Sequence, residues 1–366
     1  MISILAHYTQ LHRHPELSGS EEKTACYLTA ALAEMGYQPV RIGKHGVYAD
    51  LCVDANLPWL LLRSDMDALP VTEQTGACYA SQNPGVMHAC GHDAHMAMLL
   101  AAAEKLKGEK LPQNVRFLFQ PAEETVVGAA EMVACGAVPE NTAAVFGMHV
   151  WPGIPRGKVL AKSGPLMASV TNIQIQCHGL GAHCGNREKG ADALMTMAQI
   201  LVRSREAEAL AADDGSILFF GKLRAGTSQN IVASDAVMNG TLRTYDANVR
   251  EKMMNRLEQI AAESAAVYGT TAEVTYSAYA PAVINPEDLT WQIQECLPNV
   301  VTQMPPTCIA EDFSRYQQLC PGVLLWLGVG DTPPLHNGKF LVPEDVLPVG
   351  VDSWVRLARH PWRLTP

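Results

Sequence analysis

"WLLLRSDMD", residues 59–67, decides how this chain folds. Its first six residues are mostly apolar and do not alternate with polar ones, which is the signature of a strand buried on both faces. Three more runs have the same character: "NVRFLF" (114–119), "AAVFGM" (143–148) and "GVLLWLGVG" (322–330). Between them lie the helical patterns "DAHMAMLLAAAEKLKG" (93–108) and "VGAAEMVACG" (127–136), each closing on glycine. Buried strands interleaved with helices predict an α/β fold, with a mostly parallel sheet covered on both sides.

Outward from this core the pattern changes. Near the N-terminus, Ser18 and Glu21 in "SGSEE" fit a capping box, apolar residues recur through "TACYLTAALAEM", and Gly36 ends the helix. In the middle, "SVTNIQIQCHG" (169–179) alternates like a half-exposed strand. A helix, two strands, a 22-residue amphipathic helix (248–269) and "TAEVTYSAY" (271–279) follow. That β-α-β-β-α-β order is ferredoxin-like α+β. The expected organisation is a catalytic domain from residues 1–166 and 279–366, interrupted by an inserted domain at 167–278.

Bulk properties narrow the function. The 366 residues carry 27 basic and 37 acidic side chains, net charge −10, so no nucleic-acid or anionic-membrane partner is expected. No apolar run approaches a membrane span, and "MISILAHYTQLHRHPEL" lacks the basic and apolar regions of a secretory signal. The ten cysteines are scattered without paired spacing, which predicts reduced thiols and a cytoplasmic protein.

The chemistry-bearing residues follow the buried strands. Asp65 and Asp67 follow the first, Glu123 and Glu124 the second, His149 the third and His336 the fourth. In a parallel sheet these strand ends share one edge, where ligands bind. "MHACGHDAH" (87–95) adds Cys90 and His92 at the mouth of a helix. A thiol, imidazoles and several carboxylates exceed the four ligands of a closed zinc site, but suit two divalent ions sharing a bridge. A thiolate can bridge two ions and neutral imidazole cannot, which makes Cys90 the candidate bridge. Of the adjacent glutamates, one can bind metal while the other accepts a proton. Taken singly, these residues have plainer readings. Cys90 fits a core thiol, His149 a packed histidine and Asp93 a helix cap. His12 and His14, ahead of a capped helix, fit a structural role, and His95 fits support of a ligand rather than ligation. Two rivals remain: Cys90 as a nucleophile with His92 or His95 as base, and a binding module without catalysis.

The chain as a whole resembles the metal-dependent amidohydrolases of the aminoacylase and carboxypeptidase metallopeptidase clan, including hippurate hydrolase, N-acyl-L-amino-acid amidohydrolases and auxin-conjugate hydrolases. The likeness is carried in order by "HRHPELSGSEEKTA", "LRSDMDALPVTEQTG", "MHACGHDAHMAMLL", "FLFQPAEET", "GMHVWPGIPRGKV", "GLGAHCG", "AEDFSRY" and "LHNGKFLVPED". It implies that Cys90, His92, Glu124, His149 and His336 ligate two divalent metal ions, zinc or manganese, with cobalt or nickel as alternatives. Glu123 is then the general base and Asp67 the carboxylate that orients the site. The resemblance further implies that the inserted domain is a lid through which the chain forms a homodimer. His183 would stabilise the oxyanion in the partner's site, with Asn230 and Arg243 as substrate contacts. The implied reaction is hydrolysis of the amide bond of a small N-acyl amino acid, or alternatively of a dipeptide. Two departures bear on pocket shape. "TVVGAA" stands where relatives have a glycine-rich turn, and "CGNREKGADAL" lacks the proline and second histidine that usually follow the lid histidine.

Overall fold

Each continuous apolar run forms a strand in the computed structural model, which describes residues 3–211 and 215–363: Trp59–Asp65, Asn114–Gln120, Thr142–Pro152 and Gly322–Gly330. The four are parallel neighbours in the order 114–120, 59–65, 142–152, 322–330. Successive side chains of a strand point to opposite faces, yet Leu60, Leu61 and Leu62 are all buried, so both faces are covered. The helix His92–Leu106 packs on the sheet and is buried almost all round, which is why its sequence has no apolar stripe. Helices Ile4–Arg13 and Leu347–Arg359 pack against it in turn.

The sheet as a whole is mixed, with antiparallel pairings flanking the parallel core. On one flank Gly46–Leu51 runs antiparallel to Asn114–Gln120 and pairs with Val40–Ile42. On the other, Val159–Leu160 runs antiparallel to Gly322–Gly330 and parallel to Val300–Val301. These additions are two to six residues long, too short to leave a periodic signal. This unit comprises the chain up to Leu166, Ile284–Pro305 and the chain from Asp312 onward.

The second unit is Met167–Val283 with Pro306–Glu311. Its elements are Val170–His178, Ala193–Glu208, Ile217–Ala225, Asp235–Arg243, Ala247–Tyr268 and Thr271–Ala280. The strands form an antiparallel sheet in the order 271–280, 170–178, 235–243, 217–225. Alternate residues Ile173, Ile175 and Cys177 join Met197, Ile200, Leu257 and Ile260 of the two helices in one core. Asp192 and Asp246 cap those helices through their carboxylates. The last strand runs to Ala280, so this unit extends past residue 278.

The N-terminal segment departs from expectation. His12 does not precede the first helix; it lies within Ile4–Arg13, which Ser3 caps. The next helix, Glu22–Glu34, starts later than a Ser18 cap requires, and no capping box forms. Glu16 takes over by accepting from the N–H and hydroxyl of Thr24 at 2.8 and 2.9 Å. Gly36 does end this helix, its N–H donating to Ala33.

Candidate metal centre

The carboxyl ends of the parallel strands bring the expected donors together. Asp65 ends its strand, and Glu123 and Glu124 follow theirs. His149 lies inside Thr142–Pro152, because that strand runs past the apolar stretch. Gly91 opens the helix His92–Leu106 at φ 87°, and a Cβ on it would lie 2.4 Å from Val150 Cγ2, so only glycine lets the helix start this close. Asp93 therefore stands in the first turn rather than at the cap. His336, at φ 65°, is held by donating its N–H to Ala89 O at 2.8 Å, beside Cys90.

Three overlapping sets of donor atoms lie within 4.8 Å of one another: Cys90, His92 and His149; Cys90, Glu124 and His336; and His92, Glu123 and Glu124. Cys90 belongs to the first two, with Sγ 3.4 Å from His149 Nε2. Glu124 spans between histidines, Oε1 lying 3.9 Å from His92 Nε2 and Oε2 3.4 Å from His336 Nε2. His92 Nε2 and Glu124 Oε1 are buried without a hydrogen-bond partner, an arrangement that is costly unless a cation takes both. The donor set therefore fits metal ions.

Supporting contacts fix which atoms face inward. His92 Nδ1 lies 2.9 Å from Asp67 O and 3.3 Å from Asp67 Oδ1, so it carries the proton and turns Nε2 toward the cluster. Asp67 Oδ2 accepts from Ser18 Oγ at 2.6 Å and from Glu124 N–H at 3.0 Å. His149 Nδ1 donates to Val150 O at 2.6 Å. A further set, Asp65, His92 and His95, lies equally close together, but it is closed. His95 donates to Asp65 Oδ1 at 2.6 Å and accepts from Val150 N–H at 2.9 Å, while Arg63 Nη1 takes Asp65 Oδ2 at 2.8 Å.

Electrostatics point the same way. Burial pushes the Cys90 thiol well above its usual range, and Glu124, Glu123 and Asp65 add to the effect. Burial works against charge on His92, but Asp65, Asp67 and Glu124 push it up to about 10. Burial, then neighbouring His95, holds His149 well below its ordinary value, leaving the neutral form that binds metals. Protons on Cys90 and His92 supply the compensation that cations would displace.

Residues 61–360 match peptidase family M20/M25/M40. The chain belongs to this family. An N-acetyl-L-cysteine deacetylase of Bacillus subtilis is 34% identical over 349 residues, covering 92% of this chain and 83% of the relative. Thermostable carboxypeptidase 1 of Saccharolobus solfataricus is 34% identical over 370 residues, covering 95% and 93%. A solved dinuclear metal-binding M20 peptidase from Bacillus subtilis is 32% identical with a TM-score of 0.86, covering 97% of this chain and 96% of that one.

In the second unit of this M20 chain, His183 and Asn230 are neighbours: Cys184 N–H donates to Asn230 O at 3.0 Å, and His183 bridges to Ile231. His183 caps a short 3-10 turn by accepting from Gly185 N–H at 3.1 Å. Arg243 ends the strand Asp235–Arg243, half-buried, and burial lowers its pKa. Among the described residues no hydrogen bond or ion pair involves its guanidinium. Motif reading missed a network behind the centre. Arg63 donates to Gln120 Oε1, Asp65 and Asp312 at 2.9, 2.8 and 3.0 Å. Its signal was an arginine inside a strand buried on both faces, which obliges buried acids nearby.

Proposed function

We propose that the chain is a metal-dependent amidohydrolase that cleaves the amide bond of N-acyl amino acids, hippurate-like or N-acetylated, releasing a carboxylic acid and a free amino acid. The observation that carries this reading is the membership of Cys90 in two donor sets at once. Cys90, His92 and His149 would hold one divalent ion, and Cys90, Glu124 and His336 a second. Such a pair supplies a Lewis acid for the acyl carbonyl and makes water acidic near neutral pH. Glu123, buried and within 4.8 Å of the His92 and Glu124 donors, takes the proton of the attacking water and delivers it to the departing nitrogen. Asp67 orients His92 and the turn bearing Glu124. Soft thiolate and imidazole donors favour zinc; manganese, cobalt and nickel are the alternatives.

The reading extends to the second unit as a lid and homodimer module. There His183 stabilises the oxyanion in the partner's site, and Asn230 and Arg243 contact substrate. The half-buried Arg243, with no partner for its guanidinium among the described residues, supports recognition of a carboxylate. All ten cysteines are free, which supports a cytoplasmic setting. Against a Cys90 nucleophile stand the upward push on its thiol, the reverse of activation, and the engagement of both His95 nitrogens.

Dipeptide or carboxypeptidase activity is the second reading, favoured by the 34% identity to a carboxypeptidase. Protein purified without chelators is assayed for metal and then offered hippurate, N-acetyl amino acids and dipeptides. Preference for acyl amino acids supports the first reading, and preference for dipeptides the second. Metal-loaded protein inert toward all of them would refute both.

A further inference from the structure

The turn 121–128 carries Glu123 and Glu124, and it runs against the preferences of its residues. Ala122 has φ 54° and Val126 φ 61°, a left-handed region that residues with a Cβ rarely enter. The chain doubles back on itself: Gly128 N–H donates to Ala122 O at 3.1 Å and Val126 N–H to Glu123 O at 2.7 Å. The approach is so close that a Cβ on Gly128 would lie 1.7 Å from Pro121 O. The N–H of Ala122 points the other way and donates to Glu21 Oε1 at 2.8 Å.

Glu21 is fully buried, precedes the helix Glu22–Glu34, and gives that helix no side-chain cap. Its second oxygen, Oε2, is buried without a hydrogen-bond partner. The backbone N–H groups of Gly19, of Glu21 itself and of Ala122 favour its charged form, and of these only Ala122 lies outside its own loop, across 101 positions of sequence. The turn is gripped at two N–H groups, Glu124 by Asp67 and Ala122 by Glu21.

We propose that Glu21 is a positioning residue of the metal centre: its carboxylate holds the left-handed turn at Ala122 and thereby aims Glu123 and Glu124. This rests on the reading of those glutamates as base and ligand. Removing the acceptor leaves a buried N–H unpaired and frees Ala122 to relax toward negative φ, which displaces both carboxylates.

The test uses the full chain reconstituted with zinc. Glu21→Ala lowers kcat roughly 10- to 100-fold with KM little changed, and weakens zinc affinity, read by competition with a chelator, by roughly the same factor. Glu21→Gln keeps an acceptor oxygen and stays within about threefold of the parent, a minor change on that scale. Ala122→Gly adopts positive φ without strain, so Glu21→Ala/Ala122→Gly recovers most of the loss. Glu21→Met, which fills the same space, replaces Glu21→Ala if the latter does not fold. A merely structural role would lower Tm but leave kcat per folded, metal-loaded molecule unchanged, and glycine at 122 would rescue nothing. Parental kcat and zinc affinity in Glu21→Ala or Glu21→Met would overturn the proposal, as would equal damage from Glu21→Gln. If the parent binds zinc yet cleaves no acyl amino acid or dipeptide, the functional reading fails by itself, and the zinc titration alone decides the role of Glu21.

Discussion

His95 and His149 lie with ring centroids 4.6 Å apart, yet their hydrogen bonds give them opposite roles. His95 has both nitrogens engaged, by Asp65 and by Val150 N–H, and it has no lone pair left for a metal. His149 uses Nδ1 on a carbonyl and keeps Nε2 beside the Cys90 thiol. The same distinction separates the two glutamates, one aimed at two histidines and the other next to them. Glu123→Gln is therefore expected to lower kcat by about 10²- to 10⁴-fold while metal content stays at the parental level. Parental turnover in that variant, or loss of metal with turnover, would contradict the division of roles. Val126 offers a test of the turn itself. A β-branched residue at φ 61° is strained by roughly 1–3 kcal/mol. Val126→Gly should raise Tm by a few degrees without lowering kcat. A fall in Tm would mean that the Val126 side chain contributes more than its backbone costs.

At the scale of elements, His12 joins three pieces of chain. Its ring meets the buried Asp93 of the helix His92–Leu106 at 2.6 Å and the half-buried Glu73 at 3.2 Å. Burial works against its charge, but Asp93 and Glu73 raise it from 6.5 to about 9. A folded value above the unfolded one means this contribution is complete below about pH 6.5 and is lost as pH rises through about 9, on the order of 3 kcal/mol. Thermal stability should therefore decline across that window, and the decline should flatten in His12→Gln. An unchanged slope would assign the loss to other groups. His12 also marks where sequence reading runs out. The four core strands and the acids after them were legible, because a continuous apolar run that ends in carboxylates fits little besides a buried strand opening onto a polar edge. Helix Ile4–Arg13 was not, because its buried face includes His7 and His12, which look polar until their partners are known. Ser18 and Glu21 imitate a capping box, but Asp67 and Ala122 claim their side chains from distant positions that no local pattern reveals.

For the molecule as a whole, the metal centre is also a stability element. Asp65, Asp67 and Glu123 are buried and Glu124 nearly so, and Arg63 is a permanent cation paired with Asp65. Ions that bind only the folded state stabilise it by about 4 kcal/mol at a thousandfold excess over Kd. Stripping them with a chelator should lower Tm and abolish hydrolysis, and refilling with zinc should restore both. A Tm indifferent to chelation would contradict this. The central claim is that Cys90 joins two ions, and anomalous diffraction from crystals grown with zinc tests it most directly. Two peaks are expected roughly 3.5–4 Å apart with Cys90 Sγ between them, one beside His92 and His149 and the other beside Glu124 and His336. A single peak, or a pair that leaves the sulfur outside its coordination, would contradict it.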